Sequence, residues 1–476
     1  MRTPAGRWVL ATTVLGTGLA MLDSTVVNVA LERIGSDFGA AFADLQWTIN
    51  AYTLTLAGFI LLGGSLGDRF GRRRIFLVGV VWFALASALC GLAPSVEVLI
   101  AARALQGVGG ALLTPGSLAL ISASFRGEDR AAAIGAWSGL AGVAGAVGPF
   151  VGGWLVEWNW RAVFLVNLPV AAVIVVAALR HVPESVDPSA VKHLDLPGTV
   201  LALLGLGALT WSLTEAGAAG ASPAVLTTGV AGVVALAAFV VVERRSRSPL
   251  VPPDLFANPR FSALNVVTLL MYAALGVLFV LLVLQLQVVA GFSPLRAGLS
   301  TLPITLVMLL LSARAGRLAS RIGPRLPMTV GLVVASAGML LLLRVGPDAS
   351  YWTDVLPAVL LFALGLSATV APLTATVLDA ADDRHAGVAS GVNNAVARAA
   401  GLLAVAVIPA AAGIAGADYT DPVAFSAGYH RAVVIAASLL LGAAVLTVLL
   451  LRPSPRFQVH ECTHCGVTEP APDPSS

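Results

Sequence analysis

The sequence predicts an all-α integral membrane protein whose fourteen spans form two six-helix bundles plus two additional helices, and three observations carry that prediction. Hydrophobic residues make up 58% of the 476 and charged residues 11%, where soluble domains carry about 25% charged residues. Apolar runs of the roughly 20 residues that a helix needs to cross a ~30 Å hydrocarbon core recur along nearly the whole chain. They do not alternate in polarity as the strands of an outer-membrane barrel would. Between two of the runs lies a charged hairpin, Gly64-Ser65-Leu66-Gly67-Asp68-Arg69-Phe70-Gly71-Arg72-Arg73-Arg74, which returns in weaker form as Gly316-Arg317-Leu318-Ala319-Ser320-Arg321-Ile322-Gly323-Pro324-Arg325. The second copy keeps the Gly, Leu, Arg, Gly and Arg positions and has Ser320 in place of Asp68. Matched turns of this kind mark a duplicated bundle, the architecture of transporters.

Taken in order, the runs at 8–31, 45–66, 75–93, 97–122, 131–156 and 162–180 make a first bundle over residues 1–180. The first run starts after an arginine, like a secretory signal. It lacks a cleavage site and continues into Asp23 and Asn28, so it is read as a retained span. Residues 181–260 hold two connectors and two extra spans, at 196–216 and 222–242. The connectors contain Pro183 and Pro188 in one case and four prolines, Pro249, Pro252, Pro253 and Pro259, with several arginines before Phe261 in the other. The runs at 261–290, 298–322, 326–345, 353–378, 385–415 and 428–451 form a second bundle over 261–451. Residues 452–476, rich in Pro, Ser and acidic groups, are expected to be a disordered tail.

An even number of spans puts both termini on one side. With that side cytoplasmic, the arginines of both hairpins and of the connectors lie inside, and only Arg33, Arg161, Arg296, Arg344 and Arg431 lie outside. The positive-inside rule selects this orientation, in an inner or plasma membrane. The net charge of +3 is spread over short loops, so no nucleic-acid partner is expected. Cys90, Cys462 and Cys465 are too few and too scattered for a disulfide framework. The cluster His460-Glu461-Cys462-Thr463-His464-Cys465 offers thiolates and imidazoles but no second ligand group, so no metal is expected. The phosphate-loop pattern G-x-x-x-x-G-K-[ST] is missing, which disfavours ATP as the energy source.

Several polar groups stand inside apolar runs. A charge at the bilayer centre costs ~3 kcal/mol on insertion scales, so Arg103 should face the bundle interior or a wet cavity and have a partner. Helical spacing puts Gly107, Gly110 and Thr114 near its face and Gln106 beside it. Asp23, placed toward the outer part of the first span, is the natural second charge. Burial raises a carboxylate's pKa and a nearby arginine lowers it, a competition that suits a proton or cation site. Glu215 is an accessory candidate for the same coupling. Asn28, Asn50, Gln106, Gln285, Asn394 and Arg398 are cavity candidates, with Asn394 and Arg398 four apart on one face. The aromatics Trp137, Trp154, Phe279 and Phe362 could line a hydrophobic pocket. In the first hairpin, Gly64 and Gly71 permit close approach and a tight turn. There Asp68 can pair with Arg69 or Arg72 in one state and release it in another, a latch for a cytoplasmic gate. Arg73 and Arg74 are read as anchors at the anionic leaflet.

The first hairpin resembles the signature loop of the major facilitator superfamily. Other segments are similar to its fourteen-helix drug:proton antiporters of the EmrB/QacA type. These include Leu22-Asp23-Ser24-Thr25-Val26-Val27-Asn28, Gln46-Trp47-Thr48-Ile49-Asn50-Ala51-Tyr52, Arg103-Ala104-Leu105-Gln106-Gly107, Gly148-Pro149-Phe150-Val151-Gly152-Gly153, Trp160-Arg161 through Asn167-Leu168-Pro169, Ser293-Pro294-Leu295-Arg296-Ala297-Gly298, and Gly387 through Asn394. The resemblance covers about 8–451. It implies the major facilitator fold and marks Gly145, Gly148, Pro149, Gly152 and Gly153 as the helix motif that keeps an export cycle from leaking.

The expected function is proton-coupled antiport of hydrophobic or cationic drugs, by alternating access, with no cofactor beyond the proton-motive force. The expected partners are a small-molecule substrate, protons and membrane lipids, with the monomer as the working unit. Two other readings are an exporter of an endogenous lipid, siderophore or secondary metabolite, and a polytopic membrane transferase. A transferase would need a catalytic constellation at one membrane face, and the external loops carry only dispersed acidic residues.

Overall fold

A computed structural model describes residues 4–186, 195–246, 249, 251–381, 386–416 and 418–451. Among them, fourteen helices are long and apolar enough to span a membrane, one for each expected run. The expected disordered tail and the tail cysteines lie outside the described residues.

The first bundle comprises α1 (Pro4–Phe38), α2 (Phe42–Phe70), α3 (Arg72–Gly91), α4 (Val96–Ser124), α5 (Gly127–Trp158), the short α6 (Ala162–Leu165) and α7 (Asn167–His181). The extra pair is α8 (Leu196–Ala219) and α9 (Pro223–Arg245). The second bundle comprises α10 (Pro259–Leu284), α11 (Pro294–Ile322), α12 (Arg325–Leu341), α13 (Leu356–Asp379), α14 (Ala386–Ala411) and α15 (Pro422–Leu450). The first span runs past Leu31 to Phe38 because Glu32, Arg33, Ser36 and Asp37 prolong the helix beyond its apolar stretch. Asp23 therefore sits near the middle of α1 rather than toward its outer part.

Local chemistry explains the helix starts. Ser222-Pro223, Asn258-Pro259, Ser293-Pro294 and Asp421-Pro422 each place a capping side chain before a proline in the first turn. The cap satisfies an orphan N–H, and proline gives up only a donor that has no helical partner. Both hairpins turn on a glycine at the matched position, Gly71 with φ 109° and Gly323 with φ 86°, a region that disfavours any Cβ.

Within the first bundle α4 packs against α2 and α3, and α1 against α5. In the second, α13 packs against α11 and α12, and α10 against α14 and α15. α8 lies across the seam between the bundles, touching both α2 and α14, and α9 packs on α8. Leu54 of α2 meets Gly207 of α8, and Ala410 of α14 meets Gly217 of α8.

The two bundles are joined at the end away from the hairpins. There the Phe42 N–H donates to the Gly416 carbonyl at 2.9 Å and the Tyr419 hydroxyl to the Ala40 carbonyl at 2.6 Å. Gln46 reaches the Val405 carbonyl. Gln287, in a π turn that ends α10, donates to the Val29 carbonyl at 3.1 Å. Also at this end Gly153 lies against the Leu295 backbone and Gly298 against the Pro149 carbonyl, so α5 and α11 touch through their glycines. Gly142 and Gly135 share the α5 face of Gly153, about three and five turns nearer the hairpin end. A Cβ on either would meet nothing within 4 Å among the described residues. The α5 face that is packed at one end is thus open toward the other.

Candidate functional site

Asp23 and Arg103 meet in the middle of the first bundle. Their side chains are 0% and 2% exposed, with Arg103 Nη1 2.5 Å from Asp23 Oδ2. The other carboxylate oxygen accepts from Gln106 Nε2 at 2.8 Å and from Asn167 Nδ2 at 2.9 Å. Arg103 Nη1 also donates to Gln106 Oε1 at 2.6 Å, and its Nε to the Thr48 carbonyl at 3.1 Å. Ser87 Oγ closes the cluster, accepting from Gln106 and Asn167 at 2.7 and 3.1 Å. The guanidinium stacks over Tyr52, 4.3 Å from the ring centroid, and lies 5.7 Å from the centroid of Phe164.

Burying two charges is tolerable only where geometry and extra hydrogen bonds compensate for lost hydration. Here three donors converge on one carboxylate, supplied by α4 and α7, with α2, α3 and α6 completing the walls. A proton placed on Asp23 would remove the negative charge that holds Arg103.

Of the residues singled out from sequence, Asp23, Arg103 and Gln106 come together. Ser87, Asn167, Thr48, Tyr52 and Phe164 join them without having been picked as site residues. Asn167 carried a usable signal, a lone amide inside an apolar run. Ser87 carried none, since a serine in a span bonds its own helix as readily as a neighbour. Glu215 lies half-buried on α8, outside the cluster.

In the first hairpin Asp68 pairs with Arg72 one turn on, at 2.8 Å to Nε and 2.7 Å to Nη2. Glu184, in the connector after α7, caps the start of α3. Its two carboxylate oxygens accept the backbone N–H groups of Arg73 and Arg74 at 3.0 and 3.1 Å. The Arg73 guanidinium donates to the Val182 carbonyl at 3.0 Å, so it is held by protein at this point. Gly64 lies against Pro115 of α4. On α5, Gly148 and Gly152 pack against Thr25 and Val26 of α1, whereas a Cβ on Gly145 would meet nothing within 4 Å among the described residues.

The remaining cavity candidates divide. Gln285 is sealed within the second bundle, donating to the Val345 carbonyl and Ser426 Oγ at 2.9 and 3.1 Å. Asn28 is half-buried and Asn394 exposed. Asn50 is 1% exposed, with no partner for either amide atom among the described residues. Arg398 is half-buried on α14, with Nε sealed and unpartnered. Among the aromatics, Phe362 is fully buried, Trp154 is exposed and Trp137 donates to Thr17 Oγ1 at 3.0 Å.

Two linked helical bundles with a sealed ion pair in one of them define a class, the multi-pass membrane transporters. The Major Facilitator Superfamily profile matches residues 13–406, and the chain belongs to that superfamily. It is 38% identical to the puromycin resistance protein of Streptomyces alboniger, over 94% of this chain and 91% of that one. It is 35% identical to the methylenomycin A resistance protein of Bacillus subtilis, over 84% and 86%. With the tetracenomycin C resistance and export protein of Streptomyces glaucescens it shares 37% identity, over 83% and 73%. Among solved structures, a bacterial homologue of the lysosomal transporter Spinster, crystallised inward-facing and unoccupied, superposes with a TM-score of 0.66 at 19% identity, over 94% of this chain and 98% of that one. Peptide transporter PepTSo gives 0.68 at 15% identity, over the same shares. The chain groups with antibiotic- and multidrug-resistance exporters of the drug:proton antiporter type, and the transferase reading is set aside.

Proposed function

We propose that this protein is a proton-coupled antiporter that exports hydrophobic or cationic drugs or antibiotics by alternating access. It works as a monomer in the inner or plasma membrane, with both termini cytoplasmic and no cofactor beyond the proton-motive force. The observation that carries this reading is the sealed Asp23–Arg103 pair. A carboxylate whose one counter-charge is a buried arginine is a place where a single proton changes the local charge balance. Two of the helices around it, α1 and α2, also form contacts between the bundles, so a change there can bias which end is closed. Entry of one proton across 100 mV supplies about 2.3 kcal/mol before any pH gradient is counted. The Asp68–Arg72 pair serves as the hairpin latch, and the α5 glycines let the far end seal tightly. The resistance and export proteins named above support drug efflux, and one of them, named for resistance to and export of tetracenomycin C, also favours a secondary metabolite as cargo.

The test is uptake of a lipophilic drug panel into inverted vesicles, with and without a protonophore, for wild type, Asp23→Asn and Arg103→Ala. Accumulation should require the gradient and fall in both variants. Accumulation that survives the protonophore overturns antiport, and unchanged transport in both variants removes the pair from the mechanism.

A further inference from the structure

Arg398 is a charge in the middle of a spanning helix that no described residue answers. It stands seven residues from Gly391 and seven from Val405, so the three share one stripe of α14. α2 runs antiparallel along that stripe, with Gln46 bonded to the Val405 carbonyl and Leu61 against Gly391. Arg398 therefore faces the middle of α2, level with Asn50 and Thr53. It lies within coulombic reach of the Tyr52 and Tyr272 hydroxyls. Its guanidinium makes no hydrogen bond or ion pair among the described residues, yet it is half-buried rather than open to solvent. Asn50, on the facing stripe, is sealed with both amide atoms idle.

Two facts limit what can answer these groups. The buried carboxylate of the first bundle among the described residues, Asp23, is already saturated by Arg103, Gln106 and Asn167. The lipid side of the α2–α14 seam is covered by α8. The unanswered charge is thus positive and set between the bundles, with α8 across the seam. An intramembrane cation without a protein partner marks a ligand pathway, and guanidinium matches a carboxylate in bidentate geometry.

We propose that Arg398 and Asn50 form a subsite for an anionic group of the carboxylate class on the exported molecule. Arg398 takes the two oxygens and the Asn50 amide donates a further hydrogen bond. This rests on the exporter reading and narrows its cargo from hydrophobic or cationic molecules to hydrophobic ones that carry an acid.

Equilibrium binding of anthracene-9-carboxylate and of its methyl ester to the purified full chain in lipid nanodiscs tests it without any gradient. Wild type should bind the acid about tenfold more tightly than the ester. Arg398→Gln should erase that preference while leaving ester affinity unchanged, which also reports that the variant is folded. Should Arg398→Gln fail to fold, Arg398→Lys and Asn50→Leu carry the test. The first should keep a weaker preference, and the second should lose several-fold in acid affinity alone. Equal binding of the two probes, no binding of the acid, or a preference that survives removal of the guanidinium or is untouched in Asn50→Leu overturns the proposal. Displacement of the acid by equimolar inorganic phosphate, or by phosphatidylglycerol in place of phosphatidylcholine, assigns the site to a free anion or a headgroup and also overturns it. Vesicle transport separates the two readings. A protein that shows the preference but moves neither probe refutes export alone, and one that moves the ester without regard to charge refutes the subsite alone.

Discussion

Removing one charge of the Asp23–Arg103 pair should cost more than removing both. In Asp23→Asn the amide oxygen can still accept from Gln106 or Asn167, so those hydrogen bonds are not the main loss. What changes is that Arg103, 1% exposed, keeps the Thr48 carbonyl, Gln106 Oε1 and the Tyr52 and Phe164 rings but no counter-charge. An uncompensated buried charge of this kind costs about 3–5 kcal/mol. Arg103→Met leaves the converse, a buried carboxylate with two amide donors, and should cost a similar amount. The double variant Asp23→Asn/Arg103→Met has no buried charge. Its penalty is two acceptors, the Thr48 carbonyl and Gln106 Oε1, without their donor, or ~1–3 kcal/mol in total at a modest cost each. The double should therefore be more stable than either single, with a coupling energy of about 3 kcal/mol or more. Unfolding of the purified proteins in mixed micelles, followed by helical circular dichroism, measures all four corners of the cycle. Single variants within ~1 kcal/mol of wild type, or a double whose penalty is the sum of the singles, would refute the claim that the two side chains are held as a pair.

Four further outcomes follow from other contacts. Glu184→Ala removes the acceptor for two orphan N–H groups at the start of α3 and should cost ~1 kcal/mol, the usual worth of an N-terminal cap, read as faster proteolysis of the α7–α8 connector. Asp68→Asn breaks a partly exposed pair worth at most ~1 kcal/mol, so thermal stability should barely move while vesicle efflux falls; normal efflux would remove the latch. Gly298→Leu drives a side chain into the Pro149 carbonyl and should raise the labelling of cysteines placed at residues 40 and 415, reporting a far end that no longer closes. Burial first, and then the Glu32 and Asp44 carboxylates, raise the Tyr419 phenol above its ordinary value near ~10. Its bond to Ala40 should be fully present below that ordinary value and lost only as pH climbs through the higher folded one. The same cysteines should become reactive only at strongly alkaline pH, and Tyr419→Phe should make them reactive at neutral pH.

The spans were legible because the bilayer imposes one length and one polarity on each of them, and the glycine turns were legible because the hairpin repeats with Gly71 and Gly323 in register. The meeting of Asp23 and Arg103 was not, since eighty positions separate them and helical periodicity gives a face without naming the neighbour. Sequence reasoning required only that each charge have a partner. Asn167 could have been added on the same ground, but Ser87 could not, because nothing about a serine in an apolar helix says that two amides from other helices will converge on it. The Glu184 cap was hidden for another reason. It lies more than a hundred residues from the helix it caps, so no local capping pattern exists to read. Gln285 and Asn50 look alike in sequence, each an amide in an apolar run, and only packing separates the one that donates inside its own bundle from the one without a partner among the described residues.

α2 is the element through which these features are connected. The Thr48 carbonyl holds Arg103 of α4, and Gln46, two residues earlier, holds Val405 of α14. Residues two apart on a helix point about 200° from each other, so one face of α2 belongs to the ion pair and the opposite face to the seam between bundles. Asn50 continues the seam face one turn on, and Tyr52 continues the ion-pair face one turn on, stacked beneath Arg103. A packed helix moves as a body, since its interior contacts do not stretch. If loss of the Asp23 charge lets Arg103 shift against Thr48 and Tyr52, the displacement of α2 must appear at Gln46 and Asn50 as well. The ion pair and the seam are then two faces of one rod, and no chain of intermediate contacts is needed to link them.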